Sequence, residues 1–390
     1  MQDLIVVGAG PAGSTAALVA ARAGLKVQLL EKESLPRDKT CGGGLLYRTV
    51  KILAKVGISK KELDTVCHRV SKDLWMINLP HTTAKLQSEK PLVLMTVRKE
   101  FDYLLTQKAQ EAGAQVLENQ RVNDVIYHPD AIEVRTKAGQ TFRAKAIIGA
   151  DGVNGIVGKK AGLHTKWRND GVGVAIEAHA YLPQEQVDQH SMIKIYYGLL
   201  DWGYTWLFPK SDHIGVGIGQ LVRYSQGMRT KFEAFIKKLG WEKYIDKSTS
   251  FRVPLGHYNS RPVAERTILC GDAAGFVDPW VGEGIHFAVE SGGYAGEAVV
   301  KALETDNFSK RQFMNTYLRA CKQTIYPELK NGLRFRNIIF GRFRNDAFNA
   351  LERDPRIQEQ AIKIIQGEGT YSDMIKFLIK RGIKIYLRMY

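Results

Sequence analysis

Cysteine is scarce in this chain. Its four cysteines, Cys41, Cys67, Cys270 and Cys321, lie far apart and form no CxxC pair, which argues against structural zinc and against a secreted disulfide scaffold. A reducing cytoplasm is the expected setting. Long apolar runs are also missing: none approaches the ~20 residues needed to span a bilayer. Residues 1 to 7 pass directly into an apolar strand, leaving no room for a signal peptide. The expectation is a soluble protein, or one peripheral on the inner face of a membrane. The nine histidines show no paired metal spacing, so no metal site is expected. Zinc-finger spacing, an aromatic RNA-binding signature and a basic region joined to heptads are absent too, which argues against nucleic acid. There is no internal repeat and no low-complexity tract.

Acidic residues are in short supply. With 56 Lys and Arg against 40 Asp and Glu, the net charge is +16. Such a surplus favours an anionic partner: a membrane surface, a phosphorylated substrate or an acidic electron donor. It also serves general solubility. The 390 residues, 44% hydrophobic and 25% charged, suit a globular enzyme of roughly two or three structural units.

Leu4-Ile5-Val6-Val7 is a short apolar strand of the kind buried in a parallel sheet, and it runs into Gly8-Ala9-Gly10-Pro11-Ala12-Gly13. Residues 11 to 23 read as a helix stopped by Gly24. Lys26 to Leu30 form the next strand, and Glu31 stands at its carboxyl end. This is a complete dinucleotide fingerprint. Gly8 permits the tight turn, Gly10 lets the backbone approach a pyrophosphate, and Gly13 lets the helix pack close to the strand. The helix N-terminus offers free N–H groups to the phosphates, and Glu31 can accept both adenosine ribose hydroxyls.

The fingerprint does not separate NAD from FAD; later segments do. A second anchor for a ribityl chain is available at Gly271-Asp272, after the buried-type strand Thr267-Ile268-Leu269-Cys270. Gly282-Glu283-Gly284-Ile285 then opens a long helix, 285 to 303, whose dipole suits negative charge developing on a reduced flavin. Asp151, in Gly149-Ala150-Asp151-Gly152, is a further candidate for a phosphate or ribose contact. FAD is therefore the expected cofactor.

Residues 64 to 97 read as irregular with short strand-like pieces, and 99 to 112 as helix. Strands are expected at 115–118, 124–128, 132–136 and 141–148. Alternation over 171 to 181 and 214 to 218 predicts an antiparallel sheet covered on one face. The fold class is thus α/β: a Rossmann-type FAD-binding domain with an inserted antiparallel β-sheet substrate domain and a C-terminal helical region. The expected boundaries are 1–63, 98–165 and 265–305 for the discontinuous FAD domain, 64–97 and 166–264 for the β-rich domain, and 306–390 for the basic helical region.

Taken together, the glycine turn, Arg98, Asp151-Gly152 and Gly271-Asp272 resemble the para-hydroxybenzoate hydroxylase-like group of FAD enzymes over roughly residues 1 to 300. Two longer segments resemble the geranylgeranyl reductase family within that group. They are Pro36-Arg37-Asp38-Lys39-Thr40-Cys41-Gly42-Gly43-Gly44 and Tyr204-Thr205-Trp206-Leu207-Phe208-Pro209-Lys210. The resemblance implies reduction of isolated prenyl double bonds on lipids, quinones, diphosphates or chlorophyll precursors. It also implies FAD contacts at Ala12, Glu31, Cys41, Gly42, Gly44, Arg98, Val122, Asp272, Gly284 and Ile285, with Arg98 reaching the phosphates or ribityl chain.

A prenyl double bond is not conjugated to a carbonyl, so hydride attack alone leaves an unstabilised carbanion and acid help is needed. Cys41 is the candidate for placing the alkene or relaying the proton, and the faces of Tyr204 and Trp206 for steadying carbocation character. Those aromatics also fit simple core packing or the wall of a lipid tunnel. With no second glycine fingerprint, the electron donor is either NAD(P)H or an acidic reduced ferredoxin. Rival readings are a flavin monooxygenase or halogenase acting on a small aromatic compound, and a non-catalytic flavin- or lipid-binding protein. Residues 330 to 390 carry 13 Lys and Arg against 6 Asp and Glu. Met374 to Tyr390 mixes apolar and basic residues, so it either lies on an anionic membrane or packs its apolar side on the protein.

Overall fold

The structure, a computed structural model, describes residues 1–80, 82–163 and 167–381. Leu4, Ile5 and Val6 carry no polar group to solvate, and they form the fully buried centre of a parallel sheet. The strand Gln2–Val7 lies between Val27–Leu30 and Thr141–Gly149. Gln115–Leu117 and Thr267–Leu269 extend the sheet outward on either side, all parallel. Val263–Ala264 closes one edge antiparallel, and the hairpin Val122–Tyr127 with Ile132–Thr136 joins Thr141–Gly149. The first of these hairpin strands begins two residues before the expected 124.

Two helices, Pro11–Arg22 and Ile285–Glu304, pack closely because small residues face each other. A Cβ placed on Gly292 would lie 2.3 Å from the Ala12 carbonyl oxygen. Only glycine allows that approach. Both helices begin at the carboxyl edge of the parallel sheet, where an α/β fold of this kind keeps its ligand crevice.

The second sheet has seven strands, in the order Thr249–Pro254, Val172–Ala180, Ile214–Leu221, Gly203–Pro209, Ile193–Tyr197, Asp73–Asn78 and Thr82–Gln87. Neighbours are antiparallel except Ile193–Tyr197 and Asp73–Asn78. The segment 64–97 is therefore more regular than its sequence suggests. Its two remaining strands lie in a small third sheet, in which Val93–Thr96 pairs antiparallel with Cys67–Ser71 on one side and with Gly44–Leu46 on the other.

The expectation that this seven-stranded sheet is covered on one face is corrected. In Val172–Ala180, Ile176 and Ala178 are buried and so is Glu177, which points to the opposite side. One face packs on the helix Met228–Leu239 through Phe232 and Ile236. The other looks toward the C-terminal helices, where Ile193, Ile195 and Tyr197 meet Phe335, Phe348 and Leu351.

Those helices are Arg319–Ile339, Arg344–Arg353, Pro355–Gln366 and Tyr371–Lys380. The last turns Tyr371, Met374 and Ile375 inward and leaves Lys376, Ile379 and Lys380 exposed. As far as residue 381 the apolar side thus packs on the protein; residues 382–390 lie outside the described residues. No described helix is long and apolar enough to cross a membrane.

Candidate active site

Two cavities meet at the carboxyl edge of the parallel sheet. The first is a polar cleft of about 640 Å³, reached by Gly8, Gly10, Ala12, Glu31, Cys41, Arg98, Val122, Asp151, Asp272, Gly282, Gly284 and Ile285. Twelve residues singled out from the sequence thus converge, although they come from segments spread over 1–285. Gly13 sits behind the cleft: a Cβ there would fall 1.9 Å from the Gly8 carbonyl oxygen. Gly8 itself has φ +100°, a conformation that favours glycine. Gly42 and Gly44 face the second cavity instead.

Side chains missed in the sequence complete the cleft. Arg98 donates twice to Asp102, at 2.6 and 2.8 Å, and Arg37 donates to the same carboxylate at 3.1 Å. Arg37 also approaches Glu31 at 3.3 Å. Asp102 is buried one helical turn after Arg98, a spacing that the sequence did contain. Arg37 and Lys39 lie within the segment that carried the family resemblance and both line the cleft. Burial and the nearby Arg98 hold the Lys39 ammonium below its usual range, while Asp272 and Cys41 oppose them. Burial raises the Asp272 carboxyl, countered by Lys39 and Arg98.

Two of the expected ligand carboxylates are already engaged. Glu31 accepts the backbone N–H of Ala9 at 2.9 Å and those of Lys32 and Glu33. Asp151 accepts N–H groups from Ile156 at 2.6 Å and Val157 at 3.0 Å, so one of its oxygens folds its own loop, while Oδ1 is buried without a hydrogen bond. The remaining features suit an extended anionic dinucleotide. Two helix N-termini, a glycine-rich turn of small residues without polar side chains and the cations Arg37, Lys39 and Arg98 all face one cleft.

The second cavity, about 320 Å³, is apolar and lies between the seven-stranded sheet and the C-terminal helices. Tyr204, Trp206 and Phe208 alternate along Gly203–Pro209 and form one wall, with ring centroids 5.7 and 6.1 Å apart. Tyr204 donates its hydroxyl to the Val281 carbonyl, which ties this wall to the loop before Ile285. Burial pushes the Tyr204 phenol well above its usual range. The C-terminal helices supply the opposite wall through Phe335, Ile338, Ala350, Ile364 and Met374. No signal in the sequence linked those helices to the site.

The two cavities share Cys41, Phe251, Val253, Gly282, Gly284 and Ile285. Cys41 is half-buried at that junction. Behind it lie Glu177 and Lys210, each 3% exposed. Lys210 Nζ donates to the Gly42 carbonyl at 2.8 Å. Beside the apolar cavity, Arg48 is surrounded by Glu283 at 3.3 Å, Glu328 at 3.8 Å and Asp278 at 4.0 Å. Burial raises the Glu328 carboxyl to about 7, with Arg48 opposing. Among the described residues no cluster of His, Cys, Asp and Glu has the makings of a metal site.

Residues 1–197 match the FAD binding domain family. A digeranylgeranylglycerophospholipid reductase of Methanothermobacter thermautotrophicus is 30% identical over 351 residues, 87% of this chain and 88% of the relative. A geranylgeranyl bacteriochlorophyll reductase-like protein of Thermoplasma acidophilum has a similar structure, with a TM-score of 0.80 at 23% identity, covering 100% of this chain and 98% of that one. CmlS, a flavin-dependent halogenase, shares the fold more distantly, with a TM-score of 0.70 at 22% identity over 86% of this chain and 63% of its own.

Proposed function

Because the chain belongs to the geranylgeranyl reductase family of FAD-dependent oxidoreductases, we propose that it saturates isolated double bonds of a prenyl chain of geranylgeranyl type. The chain would be carried on a lipid, a quinone or a diphosphate. One observation carries the reading: an apolar cavity between the sheet and the C-terminal helices joins the cofactor cleft at Cys41 and Gly282–Ile285. A flexible hydrocarbon needs an apolar channel, and its double bond must reach the reducing centre.

The cofactor would be held by the Gly8–Gly13 turn, by Arg37 and Arg98 on its phosphates, by Glu31 at the adenosine ribose and by Asp272 at the ribityl hydroxyls. Reduced FAD, when bound, supplies the hydride. The protein excludes water from the alkene through the aromatic wall, offers a proton from Cys41, and sets the faces of Trp206 and Tyr204 against developing positive charge. NAD(P)H or an acidic reduced ferredoxin would deliver the electrons, the latter drawn by the net charge of +16. The exposed Lys376, Lys380 and Arg381 would favour an anionic membrane surface as the place of substrate delivery.

The test is anaerobic. FAD-loaded protein reduced with dithionite and mixed with geranylgeranyl diphosphate should yield a product with two more hydrogens per saturated bond. Reaction only in air, with incorporation of oxygen or halide into a phenol, would replace this reading with the monooxygenase or halogenase one.

A further inference from the structure

We propose that Glu177 and Lys210 form the proton-loading pair of this reaction: Glu177 returns a proton to Cys41 after Cys41 has protonated the alkene, and Lys210 fixes the turn that holds Cys41. The inference rests on the prenyl-reductase reading and assigns it a proton source. Glu177 and Lys210 act through Cys41 and are positioning residues.

The geometry comes from a gap in the sheet. Glu177 Oε1 lies 3.2 Å, and Lys210 Nζ 3.9 Å, from the point a Cβ on Gly215 would occupy. A side chain at 215 would press on the Glu177 carboxyl and approach the Lys210 ammonium. Lys210 spends its ammonium on the carbonyls of Gly42 at 2.8 Å and Phe208 at 3.4 Å. The Cys41 backbone N–H and the Trp206 indole N–H face the Glu177 carboxylate and favour its charged form. Neither saturates it: Glu177 Oε2 and Trp206 Nε1 are both buried without a well-formed hydrogen bond. A carboxyl buried to 3% exposure with an unsatisfied oxygen is costly, and a purely structural ion pair would be expected to close that bond.

Burial pushes the Glu177 carboxyl up, opposed first by Lys210, and pushes the Lys210 ammonium down, opposed first by Glu177. Each group therefore changes charge more readily near neutral pH than it would in water, as a relay requires. The other titratable or charged neighbours are Lys39 on the cleft side, Cys41 itself, whose thiol also faces Arg98 and Tyr204, and Asp212, His179 and His213 on the outer side, with Asp246 and Asp38 beside His179. His179 follows Glu177 on the same face of its strand, is only half-buried, and lies 4.6 Å from His213 between ring centroids. His213 is itself buried, so half-buried His179 is the member through which the pair reaches solvent.

The step balances. The Cys41 S–H bond breaks as a C–H bond forms at one alkene carbon. The hydride, with both electrons, arrives at the other carbon from the reduced cofactor. The thiolate takes the Glu177 proton, and Glu177 recovers one from water by way of Lys210 and His179.

The first test does not depend on turnover. In FAD-loaded protein, the pH dependence of Cys41 alkylation by iodoacetamide is followed by mass spectrometry of the Cys41 peptide. Removing the negative charge with Glu177→Gln should move the alkylation midpoint down by about half a unit or more, and Lys210→Met should move it up. Glu177→Asp, which keeps the acid, should restore most of the wild-type profile. Unchanged midpoints in both folded variants would overturn the proposal. The second test uses dithionite-reduced protein and geranylgeranyl diphosphate. Glu177→Gln should keep its first turnover, since Cys41 starts loaded, and lose about tenfold or more in later turnovers. Equal loss in both phases would reduce Glu177 to a structural role. A wild-type protein that leaves the probe unreduced contradicts the prenyl-reductase reading, and the alkylation profiles still decide whether the pair controls Cys41.

Discussion

Arg98 grips Asp102 through two parallel hydrogen bonds of 2.6 and 2.8 Å inside one helix, and Asp102 is 1% exposed. The pair fixes the guanidinium at the cleft wall, where a phosphate or ribityl group would meet it. Arg98→Ala leaves the buried carboxylate with Arg37 as its remaining arginine partner, and breaking a buried pair in this way costs about 3–5 kcal/mol. Urea unfolding of the variant should show that loss together with weakened FAD retention. Arg98→Lys should not rescue it, because an ammonium cannot make the bidentate contact.

Gly8→Ala should fold poorly around FAD. The backbone at Gly8 has φ +100°, and an added Cβ would lie 2.5 Å from the Ala150 carbonyl oxygen. Left-handed backbone costs a residue with a side chain about 1–2 kcal/mol before the clash is added. Purified variant should carry little flavin absorbance, and FAD titration should show affinity lower by at least about tenfold.

Stability near Arg48 should depend on pH in a defined direction. Glu328 has its carboxyl raised by burial to about 7 from the 4.5 of a free glutamate. Between those values the folded state holds more protons than the unfolded one, so this group's contribution to stability falls as pH rises. His213 acts oppositely, since burial lowers it to about 4 from 6.5 and favours folding as pH rises through that window. Glu177, likewise raised to about 7 by burial, adds to the falling side in wild type and variant alike. In Glu328→Gln the falling component of Glu328 is gone, so urea midpoints of the variant relative to wild type should climb from about pH 5 to about pH 7. A pH-independent difference would refute the assignment.

The role of the C-terminal helices is open to a steric test. Ala350 lines the apolar cavity from Arg344–Arg353. Ala350→Phe should leave FAD binding intact and lower reduction of geranylgeranyl diphosphate about tenfold or more, with a smaller effect on a shorter prenyl chain. Equal rates on both chains would place the substrate elsewhere.

The legible and illegible parts of this site differ in range. Gly8, Gly10, Gly13 and Glu31 stand in one βαβ unit, where local spacing sets the geometry, and the sequence shows them directly. Asp272 and Gly282–Ile285 were legible because they follow a buried strand and precede a long helix. Asp102 had only a one-turn spacing from Arg98, which is common on exposed helices and so carries little signal. Glu177 was hidden by strand alternation: Val174, Ile176 and Ala178 mark one face as the core, and Glu177 reads as solvent-facing. Its burial follows from cover on the second face by distant segments. The apolar side of Tyr371–Lys380 suits a membrane or a protein surface equally well. The buried hydroxyl of Tyr371, donating to Asp278 at 2.7 Å, ties it to the protein.

The most direct measurement is mass spectrometry of prenyl lipids and quinones from cells with and without the intact gene. The account predicts that cells lacking the protein accumulate chains short of two hydrogens for every double bond it reduces, and that wild-type protein restores them while Gly8→Ala does not. Identical saturation in both strains, with a hydroxylated or halogenated aromatic compound lost instead, would contradict it.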